Sequence, residues 1–518
     1  MSHALAELLR GVELVSTSGA IENVRVAEVR DDSRKVQPGD LFVAAPGPVA
    51  DGRAFVTDAI ARGATALVTE GAAPTSFPGL VVLVPQARHA LGLIAANRFG
   101  AAAALSLHAI TGTNGKTTTS YLVEGMLRAA GRVPGVVGTV AYRSAAPGFA
   151  TVDAPNTTPG ALLLHSVLAD MRAAGTTDVA LEATSQALDQ NRLDGCAFRV
   201  AALTNVTQDH LDYHGTMDRY FDAKAILFER MLAPNGVGVV FVDKDEGVRM
   251  RARCPRPVVG VATQAMKTAG ADVVAGIAVM DDRGVRVSFS TPMGPVKIDS
   301  PLVGDFNLEN LAIAVGMGVA ADLPVSAIES GLAGVAGVPG RLERVPNGRG
   351  VLCVVDYAHT PDGLARAIAA LKPYARGRLV VVFGCGGDRD RRKRPMMGKI
   401  AGAGADLSIV TSDNPRTEDA DAIIDMIVPG LEEGLARPVS TAQARSWIRP
   451  SEAMGRTYCR VTDRRAAIQL ATALALPGDV LLIAGKGHED YQIVGTTRSH
   501  FDDREEAAVG FALAEANA

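Results

Sequence analysis

GTNGKTTT, at residues 112–119 of this 518-residue chain, joins an apolar segment, LSLHAI (105–110), to a helical pattern, SYLVEGMLRAA (120–130). A strand, a glycine-rich loop and a helix in that order are typical of a phosphate-binding loop. Glycines let backbone N–H groups wrap phosphates, a lysine neutralises phosphate charge, and a threonine can hold Mg²⁺. The alternative is a glycine-rich turn with a solvated lysine. The loop predicts ATP binding by Gly112, Thr113, Asn114, Gly115, Lys116, Thr117 and Thr118.

The bulk composition favours an α/β protein without nucleic-acid or membrane partners. Hydrophobic residues make up 47% of the chain and aromatic residues only 4%, which suits small residues at helix–sheet contacts. A formal net charge of -4 provides no field to attract anionic partners. The five cysteines lack metal-site or disulfide spacing, and no apolar run reaches the length of a membrane span. We expect a soluble, unprocessed, cytoplasmic protein that binds no nucleic acid and inserts into no membrane.

Strand and helix patterns divide the chain into three predicted α/β domains. Residues 1–103 form a small α/β domain, and residues 104–340 a phosphate-loop domain with a mostly parallel sheet. Between 273 and 303 the pattern changes to alternating strands with turn signals, which predicts a hairpin insertion or sheet extension. Pro339-Gly340 interrupts the pattern, and residues 341–518 begin a fresh alternation that predicts a Rossmann-like domain.

Two side chains near the phosphate loop carry chemistry in their own right. Glu182 ends the apolar strand VALEAT, where phosphate-loop enzymes place an acidic residue for Mg²⁺; a solvated carboxylate is the alternative. Lys224 lies at helical spacing with Tyr220 and Phe228, which puts an amine on an apolar face. Burial would lower the pKa of that amine and allow it to take up CO₂ as a carbamate. The alternative is a lysine that snorkels to solvent.

Longer strings give the chain a resemblance to a known family. LEATSQALDQNRL (181–193), LTNVTQDHLDYHG (203–215) and YFDAKAILF (220–228) resemble the Mur ligases, ATP-dependent amide-forming enzymes of bacterial cell-wall synthesis. VDYAHTPDGL (355–364), VVFGCGGDRDRRKRP (381–395), TSDNPR (411–416) and AGKGHEDYQ (484–492) are similar to the branch that adds the third amino acid. The resemblance runs from Asp32 to about Gln492. It implies that a D-glutamate carboxylate attacks the γ-phosphate of ATP, and that an amine then displaces phosphate from the acyl phosphate.

The resemblance assigns roles around the nucleotide. It implies that Lys224 is carbamylated and serves a second Mg²⁺ together with His210. It also implies a catalytic role for three residues: Lys116, His210 and Lys224. The implied metal ligands are Thr117, Glu182, His210 and Lys224. Asn307 and His359 resemble positions along the base and ribose of ATP, and Arg341 a position that reaches the phosphates. Turn chemistry is the alternative for those three, and a packed or solvated histidine is the alternative for His210.

A second set resembles the contacts to the nucleotide-sugar substrate, UDP-N-acetylmuramoyl-L-alanyl-D-glutamate. Hydroxyls, amides and a guanidinium suit sugar, diphosphate and carboxylate groups. The matching positions are Ser33, Asn156, Thr157, Thr158, Thr184, Gln190 and Arg192. The alternative for NTTP is a turn with a helix cap. Two departures weaken parts of this set: the usual SSH reads Thr184-Ser185-Gln186, and the usual HQ reads Pro48-Val49.

The sequence DNPR, at residues 413–416, predicts which amino acid is added. It follows the strand DLSIVTS, at the carboxyl end where open α/β sheets bind ligands, and an arginine there can grip a carboxylate with two hydrogen bonds. A helix-capping Asp with a solvated Arg is the alternative. The resemblance associates DNPR with meso-diaminopimelate. It implies contacts from Arg389, Asp413, Asn414, Pro415, Arg416, Gly485 and Glu489.

Two functions other than an amide-forming ligase predict sequence features that differ from those of this chain. A nucleotide-dependent switch protein predicts a base-reading motif such as NKxD, which the sequence lacks. A folate-type ligase resembles GTNGKGS, whereas Lys116 is followed here by threonines, Thr117 and Thr118, rather than by glycine and serine. We therefore predict a ligase, monomeric, with ATP as co-substrate and Mg²⁺ as cofactor.

Overall fold

A computed structural model describes residues 2–47, 50–72, 76–264, 268–445 and 455–516. The chain divides into two compact units. The first contains Met1–Ile277, Val287–Ile298 and Glu309–Gly334, and the second contains Ala278–Arg286, Asp299–Leu308 and Val335–Ala518. Within the described ranges, no helix combines the length and the apolar character needed to cross a membrane.

The first unit begins with a small sheet that is parallel except at one edge. Its core lies on both faces, with Leu41, Val43 and Val68 on one side and Phe42 and Leu67 on the other. The strands, in spatial order, are Ser16–Thr17, Leu80–Leu83, Ala66–Thr69, Leu41–Ala44 and Val29–Arg30. A separate pair joins His3–Ala4 to Arg25–Val26.

A larger sheet follows, with most of its strands in the same unit, and its centre is parallel. Its strands, in spatial order, are Val152–Asp153, Ala141–Ser144, Pro134–Val137, Asp178–Glu182, Ser106–Thr111, Phe198–Leu203, Leu232–Phe241, Val258–Ala262, Val273–Ala275 and Gly284–Ser290. The central strands are mostly apolar and almost wholly buried, as expected for a sheet covered on both faces. Because Glu182 pairs in register with Ile110, the carboxyl ends of two neighbouring strands meet beside the phosphate loop.

Helices cover these sheets. Those of the first unit are Leu5–Leu8, Val56–Ala61, Ala87–Phe99, Lys116–Ala129, Ala161–Ala173, Ser185–Asp189, Leu211–His214, Met217–Arg230, Asp245–Arg253 and Val325–Ala333, and the residues of Phe306–Ala320 are divided between the units. Short 3₁₀ helices occupy Ser33–Lys35, Gly52–Phe55 and Ala102–Ala104.

The second unit is built on one open, mostly parallel sheet. Its strands, in spatial order, are Glu343–Arg344, Leu352–Asp356, Val480–Ala484, Leu379–Phe383, Leu407–Val410, Thr457–Arg460 and Arg437–Pro438. The helices are Pro361–Leu371, Lys393–Gly404, Ala420–Glu433, Thr441–Arg445, Arg464–Leu474 and Asp503–Ala516, with a 3₁₀ turn at Lys372–Tyr374. A hairpin, Tyr491–Val494 with Thr497–His500, follows the strand Val480–Ala484. Three strands in this sheet are adjacent and parallel: Val480–Ala484, Leu379–Phe383 and Leu407–Val410. The loops that follow them therefore lie at the same edge of the sheet.

The predicted α/β class with mostly parallel sheets is confirmed. The predicted change of pattern between 273 and 303 is also confirmed, because that segment contains the antiparallel strands Val279–Asp281 and Gly284–Ser290 and the strand Val296–Ser300. The division at residues 103 and 340 stays a prediction.

Candidate active site

The phosphate loop has the backbone that its glycines predict. It follows the strand Ser106–Thr111 and leads directly into the helix Lys116–Ala129. Gly112 and Gly115 have φ values of 149° and 84°, a region that side chains rarely adopt. A Cβ on Gly112 would lie 1.9 Å from Thr204 Oγ1, so the loop also needs glycine there for space. The loop thus presents backbone N–H groups at a helix N-terminus, which favours anions.

Lys116 lies against its own loop. Its Nζ donates to the carbonyls of Gly112 and Thr113, at 2.9 and 3.0 Å. The hydroxyl of Thr113 is in turn hydrogen-bonded to the Tyr220 hydroxyl at 3.1 Å. The predicted phosphate-binding lysine is therefore held within the loop, and the loop is tied to the helix that carries Lys224.

Glu182 is buried and fixed by three donors. Its Oε2 accepts hydrogen bonds from Thr117 Oγ1 at 2.9 Å and from Thr139 Oγ1 at 3.0 Å, and its Oε1 accepts one from the Thr139 N–H at 3.0 Å. A Cβ on Gly138 would lie 2.2 Å from Oε1, so the carboxylate fills the space beside that glycine. Carboxylate and hydroxyl oxygens side by side are the ligand type that Mg²⁺ prefers. The donor set at Thr117 and Glu182 fits the predicted metal.

Sequence reasoning missed Thr139. It follows the strand Pro134–Val137, which pairs with the strand that ends at Glu182. Its hydroxyl also hydrogen-bonds Thr157 Oγ1 at 3.1 Å, so it links the Glu182 carboxylate to a predicted nucleotide-sugar residue. The signal was available: a hydroxyl residue two positions beyond a buried strand, at the edge where the phosphate loop also lies.

Lys224 is buried, and the alternative of a snorkelling side chain is wrong. The residue is 1% exposed, and its Nζ lies 4.3 Å from the centroid of the Tyr220 ring. Among the described residues it takes part in no hydrogen bond or ion pair. Burial, and then repulsion from Lys116, lower the pKa of Lys224 well below its ordinary value. This lowering favours the neutral, nucleophilic amine over the cation.

His210 lies near Lys224 in a left-handed backbone conformation, with φ 51°, just before the helix Leu211–His214. Partial burial lowers the pKa of His210; Asp209 opposes the shift, and Lys116 and Lys224 add to it. Its Nε2 is 3.6 Å from Asp209 Oδ2. A neutral imidazole suits a metal ligand.

The predicted four-residue metal set is brought together only in pairs. Thr117 donates a hydrogen bond to Glu182, and the charge of Lys224 contributes to the lowered pKa of His210. Across the described ranges, no three His, Cys, Asp or Glu side chains converge as a metal site. The role of His210 and Lys224 toward a second metal stays a prediction.

The predicted nucleotide-sugar residues form a connected polar group around the end of the strand Asp178–Glu182. Thr158 Oγ1 donates to the carbonyl of Glu182 at 2.7 Å and is 3.1 Å from Thr184 Oγ1, which caps the helix Ser185–Asp189. Arg192 donates to the Thr158 carbonyl at 3.0 Å and to Gln190 Oε1 at 2.8 Å.

The other three members of that set are Thr157, which contacts Thr139 as described above, Asn156 and Ser33. Asn156 accepts a hydrogen bond from the Tyr142 hydroxyl through its carbonyl. Ser33 is buried at the start of the 3₁₀ helix Ser33–Lys35. Of the departures from the family pattern, Gln186 is half-buried on the short helix, whereas Pro48 and Val49 lie outside the described residues.

In the second unit, the three residues predicted to bind ATP occupy ordered positions. Asn307 is 4% exposed, and its Nδ2 donates to the Val303 carbonyl at 2.7 Å. The guanidinium of Arg341 lies 5.4 Å from the centroid of the Tyr357 ring. His359 Nδ1 is hydrogen-bonded to the Tyr357 carbonyl at 2.8 Å, and the two rings are 4.5 Å apart. Tyr357 therefore orders both Arg341 and His359.

The residues Asp413, Asn414, Arg416, Lys486 and Glu489 form a polar group that we call the DNPR cluster. Asn414 is 3% exposed and joins three partners: its Oδ1 accepts from Lys486 Nζ at 2.8 Å and from the Ile493 N–H at 3.0 Å, and its Nδ2 donates to Glu489 Oε2 at 2.9 Å. Burial, and then repulsion from Asp413, raise the pKa of Glu489.

Glycine and a left-handed arginine shape the same cluster. A Cβ on Gly485, with φ 122°, would lie 2.5 Å from Asp413 Oδ2. Arg416 has φ 51°, and its Nη1 donates to the Gly387 carbonyl at 2.8 Å. Because Gly387 N–H also donates to the Asn414 carbonyl at 2.9 Å, the loop that carries Arg389 is fastened to the loop that carries Arg416.

The remaining predicted residues differ in exposure: Pro415 is buried, and Arg389 is exposed, with its Nη1 3.4 Å from the Asp388 carbonyl. Lys486 lies within AGKGHEDYQ but is not among the residues predicted from the sequence. The available signal was a lysine between two glycines, two positions after the buried strand Val480–Ala484.

Comparison with known protein families identifies the class of protein to which this chain belongs. Models of three Mur ligase domains match the chain: the catalytic domain of the Mur ligase family over residues 25–99, the Mur ligase middle domain over 110–318, and the glutamate ligase domain over 340–487. The chain belongs to the Mur ligase family.

Named relatives narrow the comparison within that family. The chain is 44% identical over 515 residues to the UDP-N-acetylmuramoyl-L-alanyl-D-glutamate--2,6-diaminopimelate ligase of Geobacter metallireducens, with 98% of each chain covered. It is 44% identical over 502 residues to the ligase of the same name from Gloeobacter violaceus, with 96% of each covered. A solved structure of a ligase of that name has a TM-score of 0.71 at 32% identity and covers 99% of this chain and 100% of its own.

Proposed function

We propose that this chain joins meso-diaminopimelate to UDP-N-acetylmuramoyl-L-alanyl-D-glutamate, with hydrolysis of ATP to ADP and phosphate, in peptidoglycan precursor synthesis in the cytoplasm. The observation that carries the proposal is that one chain contains both a phosphate loop with Thr117 on Glu182 and a DNPR cluster with an arginine and a carboxylate. Near-full-length relatives that bear this name support it. We expect the protein to act as a monomer.

The proposed reaction has two steps. A carboxylate oxygen of the D-glutamyl residue attacks the γ-phosphorus of ATP, and the bond from that phosphorus to the β-phosphate oxygen breaks. ADP departs, and the glutamyl group becomes an acyl phosphate. The amine nitrogen of meso-diaminopimelate then attacks the acyl carbon, loses a proton, and expels phosphate. The phosphate loop stabilises charge on the transferred group through backbone N–H groups and Lys116.

Magnesium fits the first part of this site. Thr117 and Glu182 would hold the ion, since their oxygens are adjacent and Mg²⁺ takes oxygen ligands together with water and phosphate. Bound there, the ion would neutralise phosphate charge. Asn307, Arg341 and His359 are proposed to contact the rest of ATP.

Lys224 is proposed to be carbamylated. Its buried, unpaired amine would add to CO₂ with loss of a proton, and the product would be an anion beside His210 and Lys116. Lys116 would attract this anion, whereas it repels the protonated form of the amine. The carbamate and His210 would then be oxygen and nitrogen ligands for a second Mg²⁺.

The DNPR cluster is proposed to select the amine. Arg416 has five N–H donors and gives one to Gly387, so the others are suited to the distal carboxylate of diaminopimelate. Arg389 is proposed to add a second positive charge, and Glu489 to accept from an ammonium group. Ser33, Asn156, Thr157, Thr158, Thr184, Gln190 and Arg192 are proposed to bind the nucleotide sugar.

Phosphate release by the purified protein tests the proposal. We expect release to require ATP, the nucleotide sugar and the amino acid together, with diaminopimelate far better than L-lysine or L-ornithine at equal concentration. Release that continues without the nucleotide sugar, or is stimulated only by another protein, would contradict an amide-forming ligase. Equal rates with the three amino acids would contradict the specificity and leave the ligase class intact.

A further inference from the structure

Lys486 is buried at the centre of the DNPR cluster without belonging to the predicted set of substrate contacts. Its side chain is 0% exposed. Nζ donates to Asn414 Oδ1 at 2.8 Å and to the Tyr491 carbonyl at 2.7 Å, and it lies 3.9 Å from Asp413 Oδ1. The ammonium group thus joins the loop after strand Leu407–Val410 to the first residue of the hairpin at Tyr491–Val494.

This contact decides which way the Asn414 amide points. Two donor-only groups, Lys486 Nζ and the Ile493 N–H, meet the same Asn414 atom, so that atom must be the carbonyl oxygen. The amide nitrogen therefore faces Glu489 and donates to Oε2 at 2.9 Å. Without Lys486, only one backbone N–H would oppose a flip of the amide, and a flipped amide would turn its oxygen toward a carboxylate.

Glu489 depends on this arrangement for its orientation. Oε2 is held by Asn414, whereas Oε1 forms no hydrogen bond among the residues that the structure describes. A half-buried carboxylate with one oxygen fixed and the other open is suited to a substrate ammonium group. Lys486 also offsets the two carboxylates of Asp413 and Glu489, which repel each other in the same space.

We propose that Lys486 is a positioning residue for diaminopimelate: through Asn414 it fixes the Glu489 carboxylate that receives the ammonium group of the amino acid. The inference rests on the proposed function. It differs from a general structural role because the effect passes through one hydrogen-bonded chain, Lys486 to Asn414 to Glu489, to one substrate.

The test is steady-state kinetics of Lys486→Met, in which the aliphatic length is kept and the donors are removed. We expect the KM for diaminopimelate to rise about tenfold or more, as for loss of one charge-assisted hydrogen bond. The KM values for ATP and the nucleotide sugar should change less than about twofold. Lys399→Met, the same change at an exposed lysine on the helix Lys393–Gly404, is the matched control and should leave all three values unchanged.

A double-mutant cycle with Glu489→Gln separates positioning from packing. If Lys486 acts through Glu489, the combination Lys486→Met/Glu489→Gln should have nearly the same KM for diaminopimelate as Glu489→Gln alone. Independent effects that multiply would overturn the proposal. A parallel rise in all three KM values, or an unchanged KM for diaminopimelate in a folded Lys486→Met protein, would overturn it as well.

Should Lys486→Met fail to fold, Lys486→Gln decides by the same criteria, because a neutral amide keeps a donor at this position. Its KM for diaminopimelate should lie between wild type and Glu489→Gln. Failure of the proposed function has a different signature, since the wild-type protein itself would then release no phosphate in response to diaminopimelate.

Discussion

Lys224 and Lys486 are two buried lysines, one in each compact unit, and their surroundings differ. Lys224 faces the Tyr220 ring and is repelled by Lys116, and it has no hydrogen-bond partner among the described residues. Lys486 gives hydrogen bonds to Asn414 and Tyr491 and has Asp413 close by. Burial lowers the pKa of both lysines. At Lys224, repulsion from Lys116 adds to the shift and exceeds the opposing attraction of Asp209, whereas at Lys486 the largest effect after burial is the opposing attraction of Asp413.

Burial alone therefore does not define the role of a lysine. An amine with no acceptor is destabilised as a cation, so it tends to be neutral and reactive. An ammonium group with acceptors on several elements holds those elements in place. We therefore expect Lys224 to serve chemistry at a cost in stability, and Lys486 to serve both stability and substrate positioning.

The largest expected effect is the loss of activity in Lys224→Met. Phosphate release should fall roughly 100-fold or more, because an anion formed on Lys224 would no longer stabilise the reacting groups. The thermal unfolding midpoint should equal or exceed that of wild type, since methionine removes a buried amine without partners. An active Lys224→Met protein would contradict the catalytic role.

The pH dependence of the free energy of unfolding should also distinguish wild type from Lys224→Met. Below about pH 10.5 the unfolded chain protonates Lys224 more readily than the folded chain does, because the folded pKa is lowered. The free energy of unfolding of wild type should therefore rise with pH up to that ordinary value, in CO₂-free buffer. Lys224→Met lacks this rise.

Denaturant curves of wild type and Lys224→Met at a series of pH values measure this. The advantage of the variant should be greatest near neutral pH and should shrink as the pH approaches 10.5. Parallel pH profiles would contradict the lowered pKa of Lys224.

The comparison predicts the opposite outcome for Lys486→Met. Its free energy of unfolding should fall by about 3 kcal/mol, because the Asn414 and Tyr491 oxygens lose a charged donor in a buried place. Urea denaturation of the two methionine variants measures the contrast directly. Equal stability changes in Lys224→Met and Lys486→Met would remove the distinction between them.

The sequence allowed the fold to be predicted well where local pattern and topology agree. GTNGKTTT between an apolar strand and a helix could be interpreted from the sequence, and helical spacing put Lys224 on an apolar face but left burial and snorkelling both open. Both predictions depend on periodicity within one or two neighbouring elements. The hairpin-like segment after residue 273 was predicted in the same way.

The contacts between residues far apart in the chain could not be predicted from the sequence. Thr139 meets Glu182 from 43 positions away, and Lys486 meets Asn414 from 72 positions away. Spacing says nothing about such pairs, because they depend on which strands are neighbours and on where each loop turns. The order of strands Val480–Ala484, Leu379–Phe383 and Leu407–Val410 brings the DNPR cluster together, and that order is not the order of the chain.

Removing the guanidinium of Arg416 should affect one substrate more than the other. In Arg416→Ala we expect the KM for diaminopimelate to rise about 30-fold, because a bidentate pair with the distal carboxylate is lost, and the rate with L-lysine to change little. Arg416→Lys should recover only part of the loss, since an ammonium group cannot form the planar pair. Parallel kinetics with both amino acids measure this, and unchanged use of diaminopimelate by Arg416→Ala would count against the role.

The smallest expected effect is that of Thr139→Val. This variant extends the comparison from buried lysines to a buried carboxylate, Glu182. Valine keeps the shape of threonine and the backbone N–H bond to Glu182 Oε1, but it removes the hydroxyl donor to Oε2. Losing one of three donors to a buried carboxylate should lower the rate about fivefold and raise the magnesium concentration needed for half-maximal rate. A magnesium titration of phosphate release measures both values. If only the rate at saturating magnesium fell, Thr139 would serve the nucleotide sugar through Thr157, and Glu182 would keep its position without the hydroxyl.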